Sequence, residues 1–217
     1  GYAHLPERFK PQRRIVVVDL PGAANKVAML ARALAAFDAA GYDYIGMDHF
    51  ALPDDALAVA KRQGRLHRNF QGYSTQPDCD LIGLGVSAIG KIGATYSQNA
   101  KSLEDYQDLL DQGHLPVVRG LAVSRDDLLR RAVIMALMCQ GEVLYESIEL
   151  SHLINFREYF ASELQALRGM QEQGLVRLTD TGIEVTSMGW FFVRGVAMVF
   201  DKYLQADRTR ARFSKII

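Results

Sequence analysis

The stretch AANKVAMLARALAAFDAAGYDYIGMDHF, residues 23–50, decides the fold class. Its first part is rich in alanine, the strongest helix former. It sets Val27, Leu30, Leu34 and Phe37 at helical spacing. Gly41 follows as a C-terminal glycine. Residues 42–50, YDYIGMDHF, then read as an apolar-rich strand. Upstream, residues 2–5 read as the end of another strand. The loop-like stretch 6–22, with Arg8, Lys10, Arg13 and Arg14, joins it to the helix. A helix between two strand-like runs is the signature of a βαβ unit in a parallel sheet. The expected class is α/β.

Working outward, Pro53-Asp54-Asp55 opens a second helix over 55–62, with acidic residues near its positive end. Residues 66–73, LHRNFQGY, are polar and aromatic together. Residues 81–90, LIGLGVSAIG, read as a strand running into a tight turn, and 92–97 as a further short strand. Residues 102–112 read as a helix closed by Gly113, and 116–123 as a short extended link. The character changes at Ser124-Arg125-Asp126-Asp127, a Ser cap followed by acidic first-turn residues. The helix it starts runs through Leu128, Val133, Ala136 and Leu137. A second helix, 155–173, gathers Phe156, Tyr159, Phe160, Leu164 and Leu167 on one side. Residues 174–185 read as a hairpin with Thr181-Gly182 near its turn, and 186–204 as a last long helix. That order is winged-helix-like, with a domain boundary near 116–124. No internal repeat or low-complexity tract is evident.

With 217 residues and 49% hydrophobic content, the chain can build a substantial core. Its 25 basic and 25 acidic residues balance, which argues against a broadly basic nucleic-acid surface. Arg208, Arg210, Arg212 and Lys215 cluster near the end, but the hairpin tip at Thr179-Asp180-Thr181-Gly182 has no basic group for phosphates. No nucleic acid is expected as a partner. No apolar run has the length of a membrane span and no signal peptide opens the chain, so no membrane partner is expected. Two unclustered cysteines point to a reducing, cytoplasmic setting. Cys79 and Cys139 are no redox pair by spacing, and Cys139, in MALMCQ, reads as a buried hydrophobe. Gly83 to Gly90 spell G-x-G-x-x-x-x-G, which misses the dinucleotide fingerprint and reads as a close backbone approach. Asp48, His49 and His67 are candidates for metal or acid–base chemistry. Asp48 and His49 stand at a strand end, though no metal-ligand spacing supports them and a structural hydrogen-bonded pair is the plainer reading.

Tyr2-Ala3-His4-Leu5-Pro6, Gly46-Met47-Asp48-His49-Phe50-Ala51, Leu66-His67-Arg68-Asn69-Phe70-Gln71-Gly72-Tyr73 and Gly85-Val86-Ser87-Ala88-Ile89 together resemble the oxygen-independent coproporphyrinogen III oxidase (dehydrogenase) family of bacterial haem biosynthesis. Ser124-Arg125-Asp126-Asp127 and Phe200-Asp201 fit it too. The resemblance spans the whole chain, and H-R-N-F-Q-G-Y is its most specific piece.

The resemblance implies a radical S-adenosylmethionine enzyme. In that family a reduced iron–sulfur cluster cleaves S-adenosylmethionine. The resulting radical takes a hydrogen from each of two propionate side chains of coproporphyrinogen III. Loss of carbon dioxide then gives the vinyl groups of protoporphyrinogen IX. The fold implied is the C-terminal strands of a partial (β/α) barrel, residues 1–120, followed by a mostly helical, winged-helix-like domain, 121–217, over the substrate cleft. The complete protein would act as a monomer with an electron donor.

By matching positions, the resemblance implies that Ile89 contacts the first, cluster-bound S-adenosylmethionine and Ala3 a second one, and that Phe70 and Gln71 belong to the cofactor-pocket loop. None is a catalytic acid, base or cluster ligand. The chain has no C-x-x-x-C-x-x-C run, and a cluster needs closely placed thiolates. It opens at Gly1 without Met. The expectation is therefore a C-terminal portion of a longer protein, inactive alone, with the cluster ligands upstream. Two other readings stand beside it: a haem-binding or haem-delivery protein of the same family, and a winged-helix binding module.

Overall fold

The computed structural model describes residues 4–7 and 9–206. The expected strand end at residues 2–5 therefore lies largely outside the described residues. So do Ala3, Arg8 and the basic residues after position 206.

The alanine-rich stretch forms α1, Ala23–Ala39. Gly41, at φ 79°, ends it in the left-handed conformation that glycine adopts without steric cost. The run expected as one strand, residues 42–50, is instead a hairpin. β1 (Asp43–Gly46) pairs antiparallel with β2 (His49–Ala51). The turn is made by Gly46 and Met47, at φ 154° and 51°. An ordinary apolar Met at a left-handed position gives none of the usual turn chemistry, so the run looks continuous. The parallel pairing expected of a βαβ unit is absent from the described residues, whose strand pairs are all antiparallel.

Helix α2 (Ala56–Arg62) starts at Asp55, whose carboxylate accepts from Leu57 N at 2.8 Å. Next comes a short hairpin, β3 (His67–Arg68) with β4 (Tyr73–Ser74). A three-stranded sheet follows, in the order β5 (Ile89–Ile92), β6 (Thr95–Asn99), β7 (Val117–Ala122). The stretch 81–90 is thus mostly loop: Leu81 makes one isolated bridge to Lys91, and the strand begins only at Ile89. The expected link at 116–123 is the third strand. Helix α3 (Leu103–Asp111) intervenes, capped by Ser102.

Ser124 and Asp127 form a reciprocal capping box that starts α4 (Arg125–Gln140), and Gly141 at φ 72° ends it. Then come β8 (Glu142–Leu144), α5 (Tyr145–His152), α6 (Phe156–Tyr159) and α7 (Ala161–Glu172). The hairpin β9 (Val176–Leu178) and β10 (Gly182–Val185) takes β8 as a third strand, in the order β8-β10-β9.

The helix expected over 155–173 breaks at Phe160. That ring is fully buried and packs at 4.9 Å from Phe156 and edge-on at 5.3 Å from Phe200. Burying it is worth about 2 kcal/mol, while Phe160 keeps its backbone bonds to both helices, its N donating to Phe156 O at 3.0 Å and its O accepting from Leu164 N at 2.9 Å. The last long helix is also segmented. It comprises a 3-10 turn at Gly189–Phe192, α8 (Val193–Ala197), a 3-10 turn at Met198–Phe200, and α9 (Lys202–Ala206). Its first turn is pressed onto the chain at Leu175, where a Cβ on Gly189 would lie 1.8 Å from the carbonyl oxygen.

One apolar cluster joins Phe156, Phe160, Leu137, Leu167 and Phe200 to Ile45, Leu66 and Tyr73 of the two N-terminal hairpins. Among the described residues, no helix is long and apolar enough to cross a membrane.

Candidate functional site

Phe70 and Gln71 form the tip of the β3–β4 hairpin. Asn69 shapes it: its Oδ1 accepts from Gln71 N at 2.9 Å, and its own N donates to Gly72 O at 3.0 Å. Both side chains of the tip are exposed, Phe70 by 51%. The stems are gripped from below by the last turn of α4. Gln140 Nε2 donates to Leu66 O at 3.1 Å, and Tyr73 OH donates to Met138 O at 2.9 Å. A helix's last carbonyls have no partner within the helix, so the phenol caps one of them.

The two hairpins lock into each other at a pair of glycines. A Cβ at Gly46 would lie 2.5 Å from Tyr73 OH, and one at Gly72 would lie 2.6 Å from His49 Nε2. The His49 and Tyr73 rings meet edge-on at 5.2 Å, and the Arg68 guanidinium sits 4.8 Å from the Tyr73 ring centre. His49 Nδ1 and Arg68 Nη1 are buried without a hydrogen-bond partner. Burial holds the Tyr73 phenol well above its ordinary titration range, so it stays a donor.

Asp48 is exposed in the turn before His49, and His67 pairs with Ser74 at the hairpin stem. The strand end expected to carry Asp48 and His49 is instead this hairpin turn, with His49 opening β2. Among the described residues, no three His, Cys, Asp or Glu gather to hold a metal.

The tip reaches the β5-β6-β7 sheet through Phe70, whose ring meets Tyr96 edge-on at 5.4 Å. Tyr96 and Gln98 lie two apart on β6 and so share a face; Ile89 pairs with Gln98, and Lys91 with Tyr96. Phe70 and Ile89 therefore belong to one sheet face. The loop before Ile89 is held by Asn99, which is 6% exposed; its Nδ2 donates to the carbonyls of Gly83 and Gly85, both at 3.0 Å. Gly85 N donates to Tyr106 OH at 3.1 Å. Gly83 makes the expected close approach, since a Cβ there would lie 2.8 Å from Ile89 O. Gly85, at φ 97°, opens onto free space.

Asn99 and Tyr96 were not singled out from sequence. Each is one polar or aromatic residue in an unremarkable strand, and only the fold reveals its partners.

Asp78 ties this face to α4. Arg131 grips its carboxylate through two bonds of 2.6 Å, and Lys91 of β5 joins it. Arg131 first, then Lys91, hold the Asp78 carboxyl well below the usual carboxylate range. Nearby Cys79 is exposed, whereas Cys139 is buried, its thiol pushed up to about 11 by that burial. One buried thiol and one exposed one do not fit an iron–sulfur cluster. A flat ring with polar edges is a better fit to this face, which offers an exposed aromatic ring, an amide, an apolar side chain and open glycine backbone. Two clefts lie elsewhere, of about 480 Å³ beside Arg125, His152 and Leu153, and about 320 Å³ beside Tyr42, Tyr44 and Phe191. Neither is lined by Phe70, Gln71 or Ile89.

Residues 123–192 match the HemN C-terminal domain family, which sets the class of the helical part. Over the whole chain, the oxygen-independent coproporphyrinogen III oxidase of Pseudomonas aeruginosa is 53% identical, and that of Escherichia coli K12 is 46% identical. The chain spans about half the length of these curated relatives, 47% and 48%. The same-named protein of Thermostichus vulcanus is 44% identical, with 67% of its length covered. A solved structure, described as coproporphyrinogen III oxidase (HemN) from Escherichia coli, a radical SAM enzyme, matches with a TM-score of 0.88 at 47% identity. The match covers 94% of this chain and 47% of that one. The chain belongs to the oxygen-independent coproporphyrinogen III oxidase family.

Proposed function

We propose that this chain serves the oxidative decarboxylation of coproporphyrinogen III to protoporphyrinogen IX, as the C-terminal half of a radical S-adenosylmethionine enzyme. The observation that carries this reading is the shared sheet face of Phe70 and Ile89, where the H-R-N-F-Q-G-Y tip meets Tyr96 of β6 and β6 pairs with Ile89 of β5. In this reading Ile89 contacts the first, cluster-bound S-adenosylmethionine, Phe70 and Gln71 form the loop of the cofactor pocket, and Ala3, outside the described residues, contacts a second S-adenosylmethionine. The Phe70 ring gives the adenine a stacking surface, Ile89 packs its edge, and the Gln71 amide both donates and accepts at a polar margin. Asn99 holds the Gly83–Gly85 backbone in place, leaving Gly85 open to a close approach.

Bound there and cleaved by an electron from a reduced cluster, S-adenosylmethionine would supply the carbon radical that takes a hydrogen atom from a propionate side chain; the residues of this chain would bind and orient it. The cysteines of this chain do not make the cluster site, and we place its ligands in the half of the family's length that the chain does not span. In this reading residues 1–120 complete a partial (β/α) barrel. Residues 121–217 form a winged-helix-like cover over the substrate cleft, a reading supported by the β8-β10-β9 sheet with its helices. The whole enzyme works as a cytoplasmic monomer with a separate electron donor.

The test is a chimera in which this chain replaces the matching half of the Escherichia coli enzyme. Assayed without oxygen, it is expected to turn over coproporphyrinogen III in the presence of S-adenosylmethionine. Phe70→Ala and Gln71→Ala should each raise the S-adenosylmethionine requirement by about tenfold, with iron content unchanged. A cluster-loaded chimera with no turnover would sink the reading.

A further inference from the structure

We infer that His49 is a positioning residue that sets the Phe70–Gln71 tip by closing down the freedom of Gly72, an inference that rests on the reading of that tip as the cofactor loop. Gly72 is the residue directly after Gln71, and it stands at φ 149°, where glycine alone is at ease. Left to itself, such a residue would be the loosest joint of the hairpin. The N-terminal stem is secured by the Asn69 turn and by Gln140 on Leu66. On the C-terminal side Gly72 O accepts from Asn69 N at 3.0 Å, and the side chain that meets its Cα is the imidazole of His49, close enough that a Cβ would lie 2.6 Å from its Nε2.

The imidazole is itself placed with little slack. It enters from β2 directly after the left-handed turn at Met47, and its edge is fixed against Tyr73 at an interplanar angle of 89°. Tyr73 is in turn anchored on Met138 of α4. The His49 Nδ1 has no hydrogen-bond partner, so the ring is placed by its contacts, with Gly72 on the Nε2 side and with the Tyr73 ring. The order of the tip therefore passes from α4 through Tyr73 and His49 to Gly72. Preordering a loop lowers the entropy lost when ligand binds, which appears in affinity and leaves the chemical step alone.

In the chimera, His49→Ala is expected to raise KM for S-adenosylmethionine about tenfold, with kcat within about twofold and iron content unchanged. His49→Gln returns an amide nitrogen to the neighbourhood of Nε2 and should recover most of the loss. In the 217-residue chain, ¹⁵N relaxation should show lower order parameters at Gln71 and Gly72 in His49→Ala than in wild type. Gly72→Ala pushes on the same contact from the other side. Its penalty should shrink when combined with His49→Ala, a coupling that two independent structural lesions would not produce. Unchanged order parameters would overturn the inference, as would a fall in kcat at constant KM or strict additivity in the cycle. If His49→Ala unfolds the chain, His49→Gln and Gly72→Ala decide by the same readouts. If the unsubstituted chimera has no activity, the functional reading fails, and the relaxation measurement still decides the role of His49.

Discussion

Tyr73 joins three things that are far apart in the chain: its ring meets His49 and Arg68, and its hydroxyl reaches Met138. Tyr73→Phe should lose about 1–3 kcal/mol, because the Met138 carbonyl is left unpaired in a buried place while the ring packing stays. Urea unfolding of the 217-residue chain measures this; a change below about 0.5 kcal/mol would mean that water replaces the phenol without loss. At this scale the sequence is partly legible. Cys139 reads as a buried hydrophobe and is one, because its helix is apolar around it. The resemblance singles out Phe70, Gln71 and Ile89, and what the fold adds is that the first and last share one sheet face. The mutual seating of Gly46 on Tyr73 and of Gly72 on His49 is not legible. Each glycine looks like ordinary turn punctuation until its partner, from another hairpin, is beside it.

Elements whose ends are set locally follow expectation. Ser124 with Asp127 starts a helix within four residues of chain, and Gly141 stops it. Elements whose ends are set by distant packing do not follow it. The break at Phe160 and the segmented run from Gly189 to Ala206 answer to Phe200 and Leu175, which no local window contains. The join between the β5-β6-β7 sheet and α4 belongs to this scale as well. Asp78 titrates lower in the folded chain than its ordinary value of 3.8. The stability it adds is therefore present above about pH 4 and lost as pH falls through the depressed folded value. Asp78 is half exposed, so Asp78→Asn should lose only about 0.5–1 kcal/mol at pH 7. The gap between variant and wild type should close as the pH is lowered from 4 toward 2. Unfolding midpoints across that range test it, and a gap that stays constant would mean the charge of Asp78 is not what matters.

For the whole molecule, a mixed α/β class is readable from alternating helical and strand-like runs, but the antiparallel pairing of every described strand is not. A turn at Met47 and a loop at 83–88 hide inside apolar stretches that look extended. The core is one body, so a cavity at its centre should be felt everywhere. Phe160→Ala is expected to lose about 3–5 kcal/mol and to move the unfolding of the helical part and of the hairpins together. Separate transitions by tryptophan fluorescence and far-UV circular dichroism would contradict a shared core.

The grip of the late helices on the early hairpins also has a consequence in time. Tyr73 waits for a carbonyl 65 residues further on, Leu66 for an amide 74 residues further on, and Ile45 for the indole of Trp190, 145 residues away. Contacts of that span form slowly. During synthesis the Phe70–Gln71 tip has no anchor until α4 has left the ribosome, and Ile45 none until Trp190 has. The nascent chain thus leaves the Phe70–Gln71 tip unanchored until α4 has emerged, and a ribosome stalled before Trp190 would present an Ile45 hairpin that proteases and chaperones can reach.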